Sequence, residues 1–205
     1  MKHPLGVILA GGRATRMGGG DKGLLDLNGK PILNHVIDRL APQVAGLALN
    51  ANGDGERFAE TDLPVLADSI AEYPGPLAGV LAGLDWAAEQ GAETIVTAAA
   101  DTPFYPDDLV AQLMQEAEGM AHPLVLAASR DPENGRLWRQ PTFGLWPVSL
   151  RDDLRAALQG GLRKVVMWTD QHDGRLAEFP VTGIDPFFNV NTPEDLAQAR
   201  AMANQ

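Results

Sequence analysis

The sequence predicts an α/β fold: one mostly parallel sheet between two layers of helices. Three observations predict it. Short apolar runs of strand length alternate with segments whose apolar residues recur at helical spacing. The runs lack polar alternation, as strands covered on both faces do. Finally, Gly11, Asn50, Asp68 and Asp101 each fall at or just past the end of such a run, where open α/β sheets bind their ligands. No repeat, low-complexity stretch or Ser/Gly-rich linker divides residues 1–205, which predicts a single domain.

Leu5–Ala10 is an apolar run ending at Gly11-Gly12, a buried strand followed by a loop. Leu24–Leu27 reads as a short extended piece turning at Asn28-Gly29. Pro31 suits a helix N1 position, and Ile32, Leu33, Val36, Ile37 and Leu40 behind it make 31–41 an amphipathic helix. Leu47–Asn50 and Pro64–Ala67 read as strands, 76–90 as a helix, and Thr94–Ala100 as a strand ending at Asp101. A helix is expected over 106–118, with Asp107 and Asp108 in its first turn, where the macrodipole favours anions. Leu124–Ser129 and Thr142–Trp146 are strands separated by a polar loop containing Arg136 and Arg139, and 149–159 and 162–168 are helical. Thr192 as N-cap, Pro193 at N1 and the acidic Glu194-Asp195 open a C-terminal helix.

The chain has no cysteine, so disulfides and thiolate metal sites are excluded. It contains no apolar run long enough to span a bilayer, and Met1-Lys2-His3-Pro4 leads into a strand without a signal-peptide core. A cytoplasmic enzyme without thiol chemistry is expected. The net charge of −11 argues against a nucleic-acid binder working by phosphate neutralisation. Its distribution is uneven: residues 1–30 carry five cations against two anions, +3, which leaves −14 for the rest. A short basic segment in an acidic chain points to a small polyanionic ligand.

That segment centres on Gly11 to Lys22, where Arg13, Arg16 and Lys22 stand among glycines. Glycines let backbone N–H groups approach phosphate oxygens, and guanidinium forks match them. Gly18-x-Gly20-x-x-Gly23 carries the letters of the dinucleotide fingerprint but begins well past the strand and opens no helix. A P-loop also fails, because Lys22 follows Asp21 and precedes Gly23 rather than Ser or Thr.

Four blocks then resemble a known family. They are Leu9-Ala10-Gly11-Gly12 with Arg16-Met17-Gly18-Gly19 and Asp21-Lys22; Asp68-Ser69 with 73–79; Asp101-Thr102-Pro103; and 189–196, Asn-Val-Asn-Thr-Pro-Glu-Asp-Leu. The first resembles nucleotidyltransferases with the Rossmann-like fold of the nucleotide-diphospho-sugar transferase type. Together, over residues 5–200, the four resemble the molybdenum cofactor guanylyltransferases. Gly20, where a larger residue is common, and a long loop around Asn134–Leu137 depart from the pattern. The resemblance implies a three-layer α/β/α monomer that uses Mg²⁺, GTP, and molybdopterin or molybdenum-molybdopterin. Molybdenum-insertion proteins and apo-molybdoenzymes follow as partners, with neither nucleic acid nor membrane. GTP would be held by Leu9, Ala10, Gly11, Gly12, Arg13, Lys22, Asn50, Asp68 and Asp101 in the N-terminal part. Molybdopterin would be held by Gly79, Asn189 and Asn191 in the C-terminal part.

The chemistry of these residues fits, with alternatives. Asp101 ends a strand before Thr102-Pro103, as a Mg²⁺ carboxylate or as a turn former. Asp68 suits the guanine edge, a ribose hydroxyl or a helix cap. Gly79 serves either a ligand or close helix–strand packing. Asn189 and Asn191 alternate along one extended stretch, to face a pterin together or to cap the last helix. The four histidines show no ligand spacing. The expected reaction is attack by a molybdopterin phosphate on the α-phosphorus of GTP, with Lys22, Arg16 and Asp101 catalytic. A cytidylyl or sugar-1-phosphate transferase of the same fold, or a non-catalytic pterin carrier, are the competing readings.

Overall fold

The computed structural model describes residues 2–11, 21–70 and 75–203. β1 (Leu5–Leu9) is an interior strand of the sheet. A 3-10 turn (Lys22–Leu24) leads to the hairpin of β2 (Asp26–Leu27) and β3 (Lys30–Pro31). Asn28 and Gly29 make its turn at φ 55° and 87°, the left-handed pair that a tight hairpin needs. There follow α1 (Ile32–Leu40), β4 (Leu47–Asn50), a 3-10 segment (Gly55–Thr61) and β5 (Val65–Leu66). After α2 (Pro76–Glu89) come β6 (Thr94–Ala99), α3 (Leu109–Glu116), β7 (Val125–Arg130) and β8 (Leu137–Pro147). The chain continues with α4 (Arg151–Gln159), α5 (Val165–Gln171), β9 (Arg175–Phe179) and α6 (Pro193–Met202).

Seven strands form one sheet in the order β5-β4-β1-β6-β8-β7-β9. All lie parallel except β8, which runs against both neighbours. One face packs on α1 and α3 through Leu33, Val36, Leu40, Leu109 and Leu113. The other packs on α2, α4 and α5 through Leu77, Leu81, Leu84, Leu154 and Trp168. The three-layer expectation holds. Trp146, the largest buried side chain, hydrogen-bonds Thr97 Oγ1 at 2.9 Å, so its indole N–H is not left unsatisfied in the core. Two glycines let α2 lie close on the sheet: a Cβ on Gly83 would stand 2.8 Å from Val7 Cγ2, and one on Gly79 would stand 2.2 Å from Asn50 Oδ1.

Several boundaries differ from expectation. Pro31 is not N1 of α1 but the residue before it, extended at ψ 143°. Asp107 and Asp108 precede α3 rather than fill its first turn: Asp107 accepts from Arg39 and Asp108 from Gln112. Arg139 lies within β8, held by Asp170 at 2.7 Å, so the polar loop ends earlier than its charges suggest. The helix expected over 162–168 begins at Val165. β9 was not anticipated. The C-terminal helix agrees: Thr192 and Asp195 form a capping box, and Pro193 is at N1.

Candidate active site

A crevice opens at the carboxyl ends of β1 and β6, walled by Ala10, Gly11, Lys22, Phe58 and Asp101 with Leu33 beneath. Leu9 and Ala10 are fixed there by the sheet: Leu9 C=O accepts from Ala100 N–H at 3.1 Å and Ala10 N–H donates to Asn50 C=O at 2.9 Å. Gly12, Arg13 and Arg16 lie outside the described residues.

Lys22 and Asp101 meet across the crevice, Nζ 3.8 Å from Oδ2, each about one-fifth exposed. Lys22 Nζ also donates to Asn191 Oδ1. The strand before Asp101 is wholly buried, so the carboxylate emerges at the first point where the chain leaves the sheet. Burial raises the Asp101 carboxyl above the ordinary carboxylate range, while the Lys22 ammonium pulls it back. Val190 N–H donates to Asp101 C=O at 2.9 Å, which seats the C-terminal segment against the turn and brings Asn191 to Lys22. The capping reading of Asn191 is therefore only half right. Its backbone N–H donates to Asp195 Oδ2 at 2.9 Å, but its side chain turns to Lys22. Asn189 and Asn191 flank buried Val190, and Asn189 is exposed.

The β4–β5 side is a network of amides and one carboxylate. Asn50, 3% exposed, donates from Nδ2 to Leu66 C=O at 3.1 Å and to Asp68 Oδ1 at 2.9 Å. Its Oδ1 thereby faces Gly79 and Gly11. Asn52, which sequence reasoning missed, donates to Asp68 Oδ2 at 2.7 Å and accepts from Asp68 N–H at 2.9 Å. Asp68 is thus neither a helix cap nor an isolated carboxylate. Gly79 is buried on α2 beneath Asn50, so its place serves packing and Asn50's orientation. Gly75 precedes α2 at φ 134°, a conformation that favours glycine, and no side chain caps this helix.

Arg57 was also missed. It pairs through Nε with Asp21, whose carboxylate lines the crevice beside Lys22. Arg57 and Asn52 sit in a polar stretch without periodicity, and only the carboxylates they serve signal them. Among the described residues, no group of three or more His, Asp or Glu side chains is placed to hold a metal by itself. No helix among them is long and apolar enough to cross a membrane.

Residues 6–174 match the family model described as MobA-like NTP transferase domain. A molybdenum cofactor guanylyltransferase of Rhodopseudomonas palustris (strain BisB5) is 50% identical over 206 residues, covering 98% of this chain and 95% of its own. The crystal structure of molybdopterin-guanine dinucleotide biosynthesis protein A from Archaeoglobus fulgidus superposes with a TM-score of 0.71 at 23% identity, covering 98% of both chains. A CMP:2-keto-3-deoxy-manno-octonic acid synthetase complexed with CTP gives 0.76 at 16% identity, covering 100% of this chain and 99% of that one, a likeness of fold. The chain belongs to the molybdenum cofactor guanylyltransferases, within the MobA-like NTP transferase domain family.

Proposed function

We propose that the protein transfers GMP from GTP to the terminal phosphate of molybdenum-molybdopterin, giving the guanine dinucleotide cofactor and pyrophosphate. The observation that carries this reading is the meeting of Lys22, Asp101 and Asn191 at one crevice. It joins a cation from the glycine-rich segment, a carboxylate at a strand end and an amide from the C-terminal segment.

A phosphate monoester is already ionised at neutral pH, so its oxygen attacks the α-phosphorus without a general base. The task is to hold two anions together and to stabilise charge on the reacting phosphate. Lys22 places an ammonium there, exchanging its contacts to Asp101 and Asn191 for phosphate oxygens. Arg16 and Arg13 carry the charge to hold the β- and γ-phosphates. Asn50, aimed by Asp68 and Asn52, presents an amide oxygen toward Gly11, an acceptor for the N–H edge of guanine. The first turn of α2 carries backbone N–H groups that have no partner within the helix, suited to an anion or heterocycle. Asn191 and the exposed Asn189 supply amide groups suited to a pterin edge.

Mg²⁺ fits this site through Asp101: the carboxylate is a hard oxygen donor facing the crevice, and Asp21, the other acid there, is engaged by Arg57. Mg²⁺ takes one or two carboxylates and completes its shell with phosphate oxygens and water, so a single protein carboxylate suffices. When bound, it supplies charge neutralisation to the triphosphate.

The test is pyrophosphate release with each nucleoside triphosphate in turn, Mg²⁺, and either molybdopterin or a sugar 1-phosphate. Release requiring both GTP and molybdopterin is expected. Release with a sugar phosphate and none with molybdopterin would overturn the proposal, and pterin binding without any release would identify a carrier.

A further inference from the structure

Arg57 stands on the 3-10 segment Gly55–Thr61, outside the glycine-rich segment and outside the strand ends. Each nitrogen of its guanidinium nonetheless makes a hydrogen bond. Nε donates to the Asp21 carboxylate, Nη1 to Asp54 C=O, and Nη2 to Asn52 C=O at 2.8 Å. Its Cζ lies over the Phe58 ring, 4.5 Å from the centroid, and Phe58 is itself buried and part of the crevice wall. The side chain is only 28% exposed and that of Asp21 19%.

Asp21 explains what this arrangement accomplishes. It is the residue before the 3-10 turn that begins at Lys22, where an aspartate ordinarily caps the helix. Its carboxylate makes no such bond and goes to Arg57 instead. The peptide entering Lys22 is therefore held twice, by the turn through Leu24 N–H to Asp21 C=O at 3.0 Å and by a side chain 36 residues away on the Asp21 carboxylate. On its other side Arg57 holds Asn52, whose amide holds Asp68 and, through it, Asn50. One guanidinium thus ties the lysine wall of the crevice to the amide wall. Lysine cannot replace it, because an ammonium has neither the planar fork nor the stacking face.

We propose that Arg57 is a positioning residue for nucleotidyl transfer, fixing the Lys22 ammonium at the reacting phosphate by holding Asp21. Three of its five N–H bonds are engaged by Asp21, Asp54 and Asn52, and it acts on the reacting phosphate through Asp21 and Lys22. The inference rests on the nucleotidyl-transfer reading above.

The experiment is a double-mutant cycle of Arg57→Ala and Asp21→Ala, measuring kcat and GTP KM separately, with activity normalised to the cooperatively melting fraction. Each single variant is expected to lower kcat about tenfold, and the double variant to lower it no further, because both cut the same connection. Arg57→Lys is expected to recover only part of the loss, and it replaces Arg57→Ala in the cycle if that variant does not fold. Losses that multiply to about a hundredfold, or unchanged kcat with only a lowered Tm, would overturn the positioning role. A wild-type protein without GTP-dependent pyrophosphate release would contradict the activity itself, and so separates the two failures.

Discussion

Asp101 shows how far a single residue's environment can be taken. Burial raises its carboxyl above the ordinary range, so ionising it costs the folded state more than the unfolded chain, a cost that grows from the unfolded value and is complete above the raised one. Lys22, 3.8 Å away, offsets part of this cost. Asp101→Asn is accordingly expected to lose turnover at saturating GTP by about 10²-fold or more. Its Tm near neutral pH should be equal to or above that of the parent. The Tm difference should shrink as pH falls into the range where Asp101 takes up its proton, which thermal melts between pH 4 and pH 8 would show. Near-normal turnover, or a lower Tm at pH 7 that persists in acid, would contradict the assignment. Lys22, Asp101 and Asn191 were legible in the sequence because each sits in a short block of unusual composition at an element boundary. Asn52 and Arg57 were not, since nothing in an exposed polar loop announces that its side chains fold back onto a carboxylate. Gly79 was legible as a special position, and the structure supplies the reason, a contact with Asn50.

At the scale of elements, α2 and α6 place the site. A methyl group on Gly79 would need Asn50 or the helix to move, an overpacking cost of about 1–3 kcal/mol, and would turn Asn50 Oδ1 from its present direction. Gly79→Ala should thus lower Tm and raise the GTP KM more than it changes kcat; a normal KM would mean that Asn50 does not meet the nucleotide. α6 is anchored by the Thr192–Asp195 capping box, and Thr192→Ala should cost about 1 kcal/mol, measured by denaturant titration. Backbone N–H groups of Asn191 and Thr192 hold the Asp195 carboxyl below its ordinary value. That stability is complete above the unfolded carboxylate range and is lost as pH falls through the lowered folded value. Asp195→Asn should flatten this acid dependence, as melts between pH 2 and pH 5 would report. The strands β1, β4 and β6 were legible because apolar runs buried on both faces have nothing polar to interrupt them. β9, with Arg175 and Glu178 outward, and the start of β8, with Arg139 paired to Asp170, are edge or protruding segments. Their charges hide them among loop sequences. Asp107 and Asp108 misled in the opposite sense, as acids that look like a helix start but pair with Arg39 and Gln112.

The whole molecule sets these parts in one field. A chain of net charge −11 concentrates five of its cations in its first thirty residues, and the sheet carries the Lys22 end of that segment to a crevice opposite Asp101. The Asn191 amide arrives from the far end of the chain, 169 residues away, through its contact with Lys22. No local pattern encodes that closure, which depends on Val190 docking on the Asp101 turn. The central claim is that the phosphorus attacked beside Lys22 is the α-phosphorus of GTP. It is tested most directly by incubating the protein with molybdopterin, Mg²⁺ and GTP labelled at either the α- or the γ-phosphate. α-Label is expected in the pterin dinucleotide and γ-label only in pyrophosphate. Transfer of γ-label to the pterin, or an unlabelled pterin with both substrates, would contradict it.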